Sequence, residues 1–189
     1  LKKLNYIKLS SFNSLKNVDG LKGCSGLVNL NISSDSLENI NGLQNLKALE
    51  YIQLDTIKLK NIDGLSGCEN LNMIDIQSED IKNLNGLKGC NKLQELYIPN
   101  LAKSLNLDGL AFMDSLRVIN FRNCIIKSFD FTQKIPPITY VDIRSSDQIK
   151  SLEGLGNLIN LVKIVIKDCT KLANLKGIEN IKTLESVII

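Results

Sequence analysis

One six-residue pattern recurs nine times along the 189-residue chain: an aliphatic, two free positions, an aliphatic, one free position and an aliphatic, at intervals of 22 or 23 residues. The copies are LNYIKL from Leu4, LVNLNI from Leu27, LEYIQL from Leu49, LNMIDI from Leu71, LQELYI from Leu93, LRVINF from Leu116, ITYVDI from Ile138, LVKIVI from Leu161 and LESVII from Leu184. A fixed period of this length is the mark of a solenoid, whose units cannot bury an apolar face alone and become stable by stacking. Each hexamer predicts one short strand, and their unbroken register predicts nine parallel strands in one sheet about 40 Å long.

The columns behind each strand have separate physical roles. Three residues before each leader stand Leu1, Cys24, Leu46, Cys68, Cys90, Met113, Ile135, Leu158 and Ile181. Six before stand Leu21, Leu43, Leu65, Leu87, Leu110, Thr132, Leu155 and Ile178, and nine before a further set from Val18 to Leu175 that includes Phe129. An apolar period of three suits 3₁₀ turns better than an α-helix, and Gly23, Gly67 and Gly89 would weaken an α-helix there. A polar column of Asn17, Asn39, Asn61, Asn83, Asn106, Ser128, Ser151 and Asn174 is expected to be buried and bonded to backbone. The accompanying glycines (Gly20, Gly42, Gly64, Gly86, Gly109, Gly154 and Gly177, with Phe131 the exception) are expected to supply unusual dihedrals. Segments such as NIDGL recur at every turn without the oxygen-ligand spacing of an EF-hand, so they read as structural and not as a metal site. The lysine column of Lys16, Lys60, Lys82, Lys127 and Lys150 reads as solubilising.

These residues, for example LEYIQLDTIKLKNIDGLSGCENL from Leu49 to Leu71, resemble a leucine-rich repeat. The repeat is similar to that of the internalin group of bacterial surface proteins and of the regulatory subunit of protein phosphatase 1. The resemblance implies an α/β solenoid: a horseshoe with a nine-stranded parallel concave sheet and short 3₁₀ or irregular turns on the convex side. It also implies protein binding on the concave face. The chain departs from the usual pattern where such repeats often carry Asn or Cys, with Phe12, Asp35, Ile57, Glu79, Leu101, Cys124, Ser146 and Cys169 in that column.

Composition narrows the function classes. The chain has no histidine, which removes Ser/His/Asp and Cys/His nucleophile activation, and no phosphate-cradling glycine loop, so an enzyme is not expected. No cofactor is expected either. The 23 basic and 20 acidic residues give +3, too little and too scattered to argue for nucleic acid, and no apolar stretch is long enough for membrane insertion. Five cysteines without a CxxC pair suggest neither a zinc site nor a full disulfide framework. Cys68 and Cys90 lie in adjacent repeats, and their pairing stays open.

Candidate binding residues are those on the strands that alternate with the buried ones. All four tyrosines fall there, Tyr6, Tyr51, Tyr97 and Tyr140. Tyrosine suits half-exposed strands in its own right and is also a common binding anchor. On this face Lys8, Asp55, Asp75 and Glu95 make the first five strands net −2, whereas Arg122, Asp142, Arg144, Lys163 and Lys167 make the rest net +3. The expected partner-binding set is Tyr51, Asp55, Asp75, Glu95, Tyr97, Arg122, Tyr140, Asp142, Arg144 and Lys167. The expected organisation is one domain over residues 1–189, of about eight repeats, with caps or flanking domains beyond it. The functional expectation is a protein-recognition module, in adhesion at a cell surface, with an intracellular scaffold or spacer as the alternative. An extracellular location is favoured over a cytoplasmic one.

Overall fold

A computed structural model describes residues 1–101, 105–111, 113–125 and 134–189. The expectations for Lys127, Ser128, Phe129, Phe131 and Thr132 lie outside the described residues. Nine strands form one parallel sheet in chain order: β1 (Tyr6–Leu9), β2 (Asn29–Ser33), β3 (Tyr51–Asp55), β4 (Met73–Gln77), β5 (Glu95–Tyr97), β6 (Val118–Arg122), β7 (Tyr140–Arg144), β8 (Lys163–Lys167) and β9 (Ser186–Ile188). Each pairs with the next one repeat later, so that Tyr6, Asn29, Tyr51, Met73, Glu95, Val118, Tyr140, Lys163 and Ser186 form a lateral row. The ladder runs through β7 without a break, although Pro136 and Pro137 precede it.

Among the described residues, six of the returns between strands carry a single 3₁₀ turn, at Asp19–Leu21, Asn41–Leu43, Asp63–Leu65, Asn85–Leu87, Asp108–Leu110 and Leu155–Asn157. Three residues per turn bring the period-three apolar columns to one side, and Leu43, Leu65, Leu87, Leu110 and Leu155 are fully buried there. They meet the inward strand residues, such as Leu30, Ile32, Ile52, Ile74 and Phe121, in one continuous core. Burying each such side chain contributes about 1.5–3 kcal/mol, which is how units that are unstable alone become stable in a stack.

Two expectations about the turns change. The asparagine column is bonded as expected but not buried: Asn17, Asn106 and Asn174 are exposed and Asn39, Asn61 and Asn83 half-buried. Each Oδ1 accepts the backbone N–H two residues on, at 3.1 Å for Asn61 to Asp63 and 3.0 Å for Asn83 to Asn85. This Asx turn is closed within its own turn, so it needs no cover from the next one. Of the glycines after it, Gly154 and Gly177 supply the expected positive φ, at 91° and 112°, whereas the middle ones serve close approach. Gly42, Gly64 and Gly86 have no positive φ, but a Cβ there would collide with the carbonyls of Val18, Ile40 and Ile62 in the preceding repeat.

The Asn/Cys column resolves into two registers. In the repeats starting at Leu27, Leu49 and Leu71, the chain takes five residues from the last strand aliphatic to the next core residue, as from Ile32 to Leu37. There the buried polar position is Ser34, Thr56 or Ser78, and the Ser78 hydroxyl donates to the Leu59 carbonyl at 2.8 Å. In those starting at Leu4, Ile138 and Leu161 the path is six residues, and the extra one is left-handed: Ser11, Ser145 and Asp168, with φ of 63°, 52° and 55°. The β6 exit has the same left-handed step at Asn123, and the position after the step is buried at Cys124 and Ser146. A fixed count therefore compared exposed Asp35, Ile57 and Glu79 with residues that do a different job.

All five cysteines are free thiols, so Cys68 and Cys90 are not paired. Burial pushes the Cys68 thiol up to about 11 and the Cys90 thiol up to about 12. Each donates to a carbonyl in the turn of the preceding repeat, Leu43 at 3.4 Å and Leu65 at 3.3 Å, and behaves as a small core residue. Among the described residues no helix is long and apolar enough to cross a membrane.

Candidate partner-binding face

The pleat sends every second strand residue away from the core, and the register stacks these into rows across the sheet. The first row contains Tyr51, Glu95, Tyr140 and Lys163; the second runs Asn31, Gln53, Asp75, Tyr97, Asn120, Asp142 and Val165; the third holds Asp55, Gln77, Arg122, Arg144 and Lys167. Neighbouring strands lie about 4.8 Å apart, so row neighbours touch.

Three of the four tyrosines are fixed by a side chain two positions away on their own strand. The Tyr51 hydroxyl donates to Gln53 Oε1 at 3.2 Å, Tyr97 to Glu95 Oε2 at 2.7 Å and Tyr140 to Asp142 Oδ2 at 3.1 Å. Gln53 is itself held by Asn31 Nδ2 at 2.6 Å. Burial, the bond to Glu95 and the charge on Glu95 together push the Tyr97 phenol up to about 12. Burial followed by the Asp75 charge raises Tyr51, and burial followed by the Asp142 bond and charge raises Tyr140. Tyr6, on β1, is 55% exposed.

A second cluster spans β6 to β8. Arg144 donates from Nε to Asp142 Oδ1 and from Nη2 to Oδ2, both at 2.8 Å, and the Lys163 ammonium lies 5.6 Å from the centre of the Tyr140 ring. Asp142 is only 2% exposed and the adjacent Val165 only 4%. Burial alone would raise the Asp142 carboxyl, but the bonds from Arg144 and Tyr140 and the charges on Arg144 and Arg122 outweigh it and hold it below the usual range.

The expected site residues thus fall into groups with different standing. Tyr51, Asp75, Glu95 and Tyr97 are half-buried on the middle of the face, and Asp55, Arg122 and Lys167 are exposed. Burial, then the charge on Asp55, raises the Asp75 carboxyl. Asp142 is not offered to a partner: it is an internal anchor for Tyr140 and Arg144. Arg144 spends its charge on it, a pair that already cancels in the sequence count, so Arg122, Lys163 and Lys167 carry the +3 of this half. Sequence reasoning passed over Asn31, Gln53, Asn120 and Val165. The row periodicity marks their places, but which side chains bond along a row depends on rotamers that no spacing reveals.

No protein-family model matches the sequence, and no curated protein does. Among solved structures, internalin C2 of Listeria monocytogenes superposes with a TM-score of 0.66 at 20% identity, over 94% of this chain and 78% of that one. The fold is a leucine-rich-repeat horseshoe. An internalin (inlF) of the same bacterium gives a TM-score of 0.48 at 17% identity, over 99% of this chain and 68% of that one. In the leucine-rich-repeat frame the three rows line the concave side, and the 3₁₀ turns form the convex side.

Proposed function

We propose that this chain is a non-enzymatic protein-recognition module that binds a protein partner on its concave sheet. The observation that carries the reading is the fixing of Tyr51, Tyr97 and Tyr140 by bonds along their own strands. Rings held in place before a partner arrives lose little conformational freedom on binding, and tyrosine is enriched among residues that dominate binding energy. Asp55, Asp75 and Glu95 on one side and Arg122 and Lys167 on the other would set the partner's orientation and speed its encounter. Asp142 and Arg144 act as positioning residues for Tyr140.

The setting we propose is adhesion at a cell surface. Four of the five free thiols are buried, and these place no demand on a reducing compartment. The test is capture of a partner by the immobilised chain, followed by the same capture with Tyr51, Tyr97 and Tyr140 all replaced. Loss of the partner by a variant that still melts cooperatively supports the concave face. Undiminished capture assigns recognition elsewhere and favours the scaffold reading. Labelling of the chain on intact cells by an impermeant reagent tests the location.

A further inference from the structure

The middle of the concave face is notched. β5 has three residues where β4 and β6 have five, because Pro99 stands where the strand would continue and has no N–H to give. The sheet stays closed around it, since Ile98 N–H bonds to the Asn120 carbonyl at 3.0 Å and Asn100 N–H to the Arg122 carbonyl at 2.7 Å. The notch is a pocket of about 290 Å³ lined by Asp75, Tyr97, Pro99, Asn120 and Arg122.

Two charged side chains outside any ion pair border this pocket. Asp75 lies on β4 level with Asn120 of β6, and Arg122 lies two residues further along β6, so the two are two strand spacings across and one row along, roughly 12 Å apart in backbone. No ion pair joins them, and neither side chain has a hydrogen-bond partner among the described residues. Asp75 can only accept when ionised, and Arg122 can only donate. A cationic side chain entering the pocket would gain at Asp75 and lose at Arg122, and an anionic one would do the reverse. An aliphatic one would strip water from both and leave them unpaired. A group with a donor and an acceptor side by side satisfies both.

We propose that this pocket selects a neutral carboxamide, the Gln or Asn side chain of a protein partner, with its NH₂ donating to Asp75 and its carbonyl accepting from Arg122. The inference rests on the reading of the concave face as the binding face. Tyr97 and Pro99 flank the stem of the entering side chain, and Asn120 supplies a further amide between the charged walls. Asp75 gains most from such an occupant, because burial and the Asp55 charge both disfavour its ionised form in the free chain.

The test pans a phage-displayed library of random dodecapeptides on the full chain and on two variants. On the wild type, the enriched peptides should share a Gln or Asn whose replacement by Ala weakens binding about 10-fold or more. Asp75→Asn leaves a cationic pocket and should shift the shared residue to Asp or Glu. Arg122→Gln leaves an anionic one and should shift it to Lys or Arg. Absence of enrichment on the wild type, a charged or apolar shared residue, or the same residue on all three chains overturns the proposal. Peptides that need Tyr51 but ignore both pocket variants overturn the pocket and keep the face. Peptides that ignore Tyr51→Ala as well overturn the face itself. Circular-dichroism melts of each variant show whether a lost signal is a lost fold.

Discussion

Arg144 grips Asp142 at two points on one strand, Nε to Oδ1 and Nη2 to Oδ2, each at 2.8 Å. The carboxylate is 2% exposed although it points to the face away from the core, because Tyr140, Arg144 and the neighbouring rows cover it. A buried charge is tolerable only while its bonds are complete, so the two partners should respond unequally to removal.

Arg144→Ala leaves Asp142 with the Tyr140 hydroxyl alone and should cost about 3 kcal/mol, the low end for breaking a buried pair. Asp142→Ala frees an arginine whose side chain is 33% exposed and can turn to water, so it should cost about 1–2 kcal/mol. Urea unfolding of both variants decides it. A larger loss for Asp142→Ala would mean that the arginine, not the carboxylate, is the strained partner.

Asp75 and Asp142 should bend the acid limb of the stability curve in opposite directions. The Asp142 carboxyl is lowered on folding, so its contribution is present above the unfolded value near 3.9 and is lost as pH falls through the folded one. The Asp75 carboxyl is raised, by burial first and Asp55 second, so the native chain holds that proton more tightly and stability declines as pH rises through its folded value. Asp75→Asn should therefore stabilise at neutral pH, whereas Asp142→Asn should destabilise there and become harmless in acid. Urea midpoints from about pH 2.5 to 7 read both. A loss of stability in Asp75→Asn at neutral pH would contradict the burial argument.

The glycine column gives an internal control. A Cβ on Gly64 meets the Ile40 carbonyl of the preceding turn, a rigid neighbour, whereas nothing lies within 4 Å of a Cβ on Gly20. Gly64→Ala should cost about 2 kcal/mol or more by forcing two turns apart, and Gly20→Ala less than about 0.5 kcal/mol. Equal effects in thermal melts would return the column to a dihedral explanation.

Buried and exposed polar ladders should also separate. Ser78 is fully buried and donates to Leu59, so Ser78→Ala strands a carbonyl and should cost about 1–2 kcal/mol. Asn83→Ala frees the Asn85 N–H next to solvent and should cost about 0.5–1 kcal/mol. The reverse order would mean that the Asx turns, and not the Ser/Thr positions, lock the stack.

The repeat made the strands, their order and the 3₁₀ returns legible, because period-two and period-three burial leave their periods in the chain. It hid whatever depends on small changes of path. One added residue at Ser11, Ser145 or Asp168 shifts the buried polar position by one and defeats a fixed column count. The face itself was legible as rows of residue types, and all four tyrosines do lie on it. Their bonding was not, since the reach of Arg144 back to Asp142 and the shortening of β5 at Pro99 depend on side-chain geometry and ladder chemistry between strands.

Tyr51→Ala and Tyr97→Ala should each weaken partner binding by about 1–4 kcal/mol while changing unfolding by less than about 0.5 kcal/mol, because their hydroxyls bond only to side chains on the same half-buried face. Tyr140→Ala should lower both, since it also takes a donor from buried Asp142. Tyr97→Phe keeps the ring and loses the bond to Glu95, so binding intermediate between wild type and Tyr97→Ala would show that holding the ring in place matters beyond its area. Arg122→Glu, with no ion pair or side-chain hydrogen bond to lose and only a longer-range pull on Asp142, should act chiefly on the association rate and its salt dependence, whereas Arg144→Glu should unfold the cluster it shares with Asp142. Binding kinetics beside urea melts on the same six variants separate these effects. A partner that binds the Tyr51/Tyr97 double variant at the wild-type rate and affinity would remove the concave tyrosines from recognition.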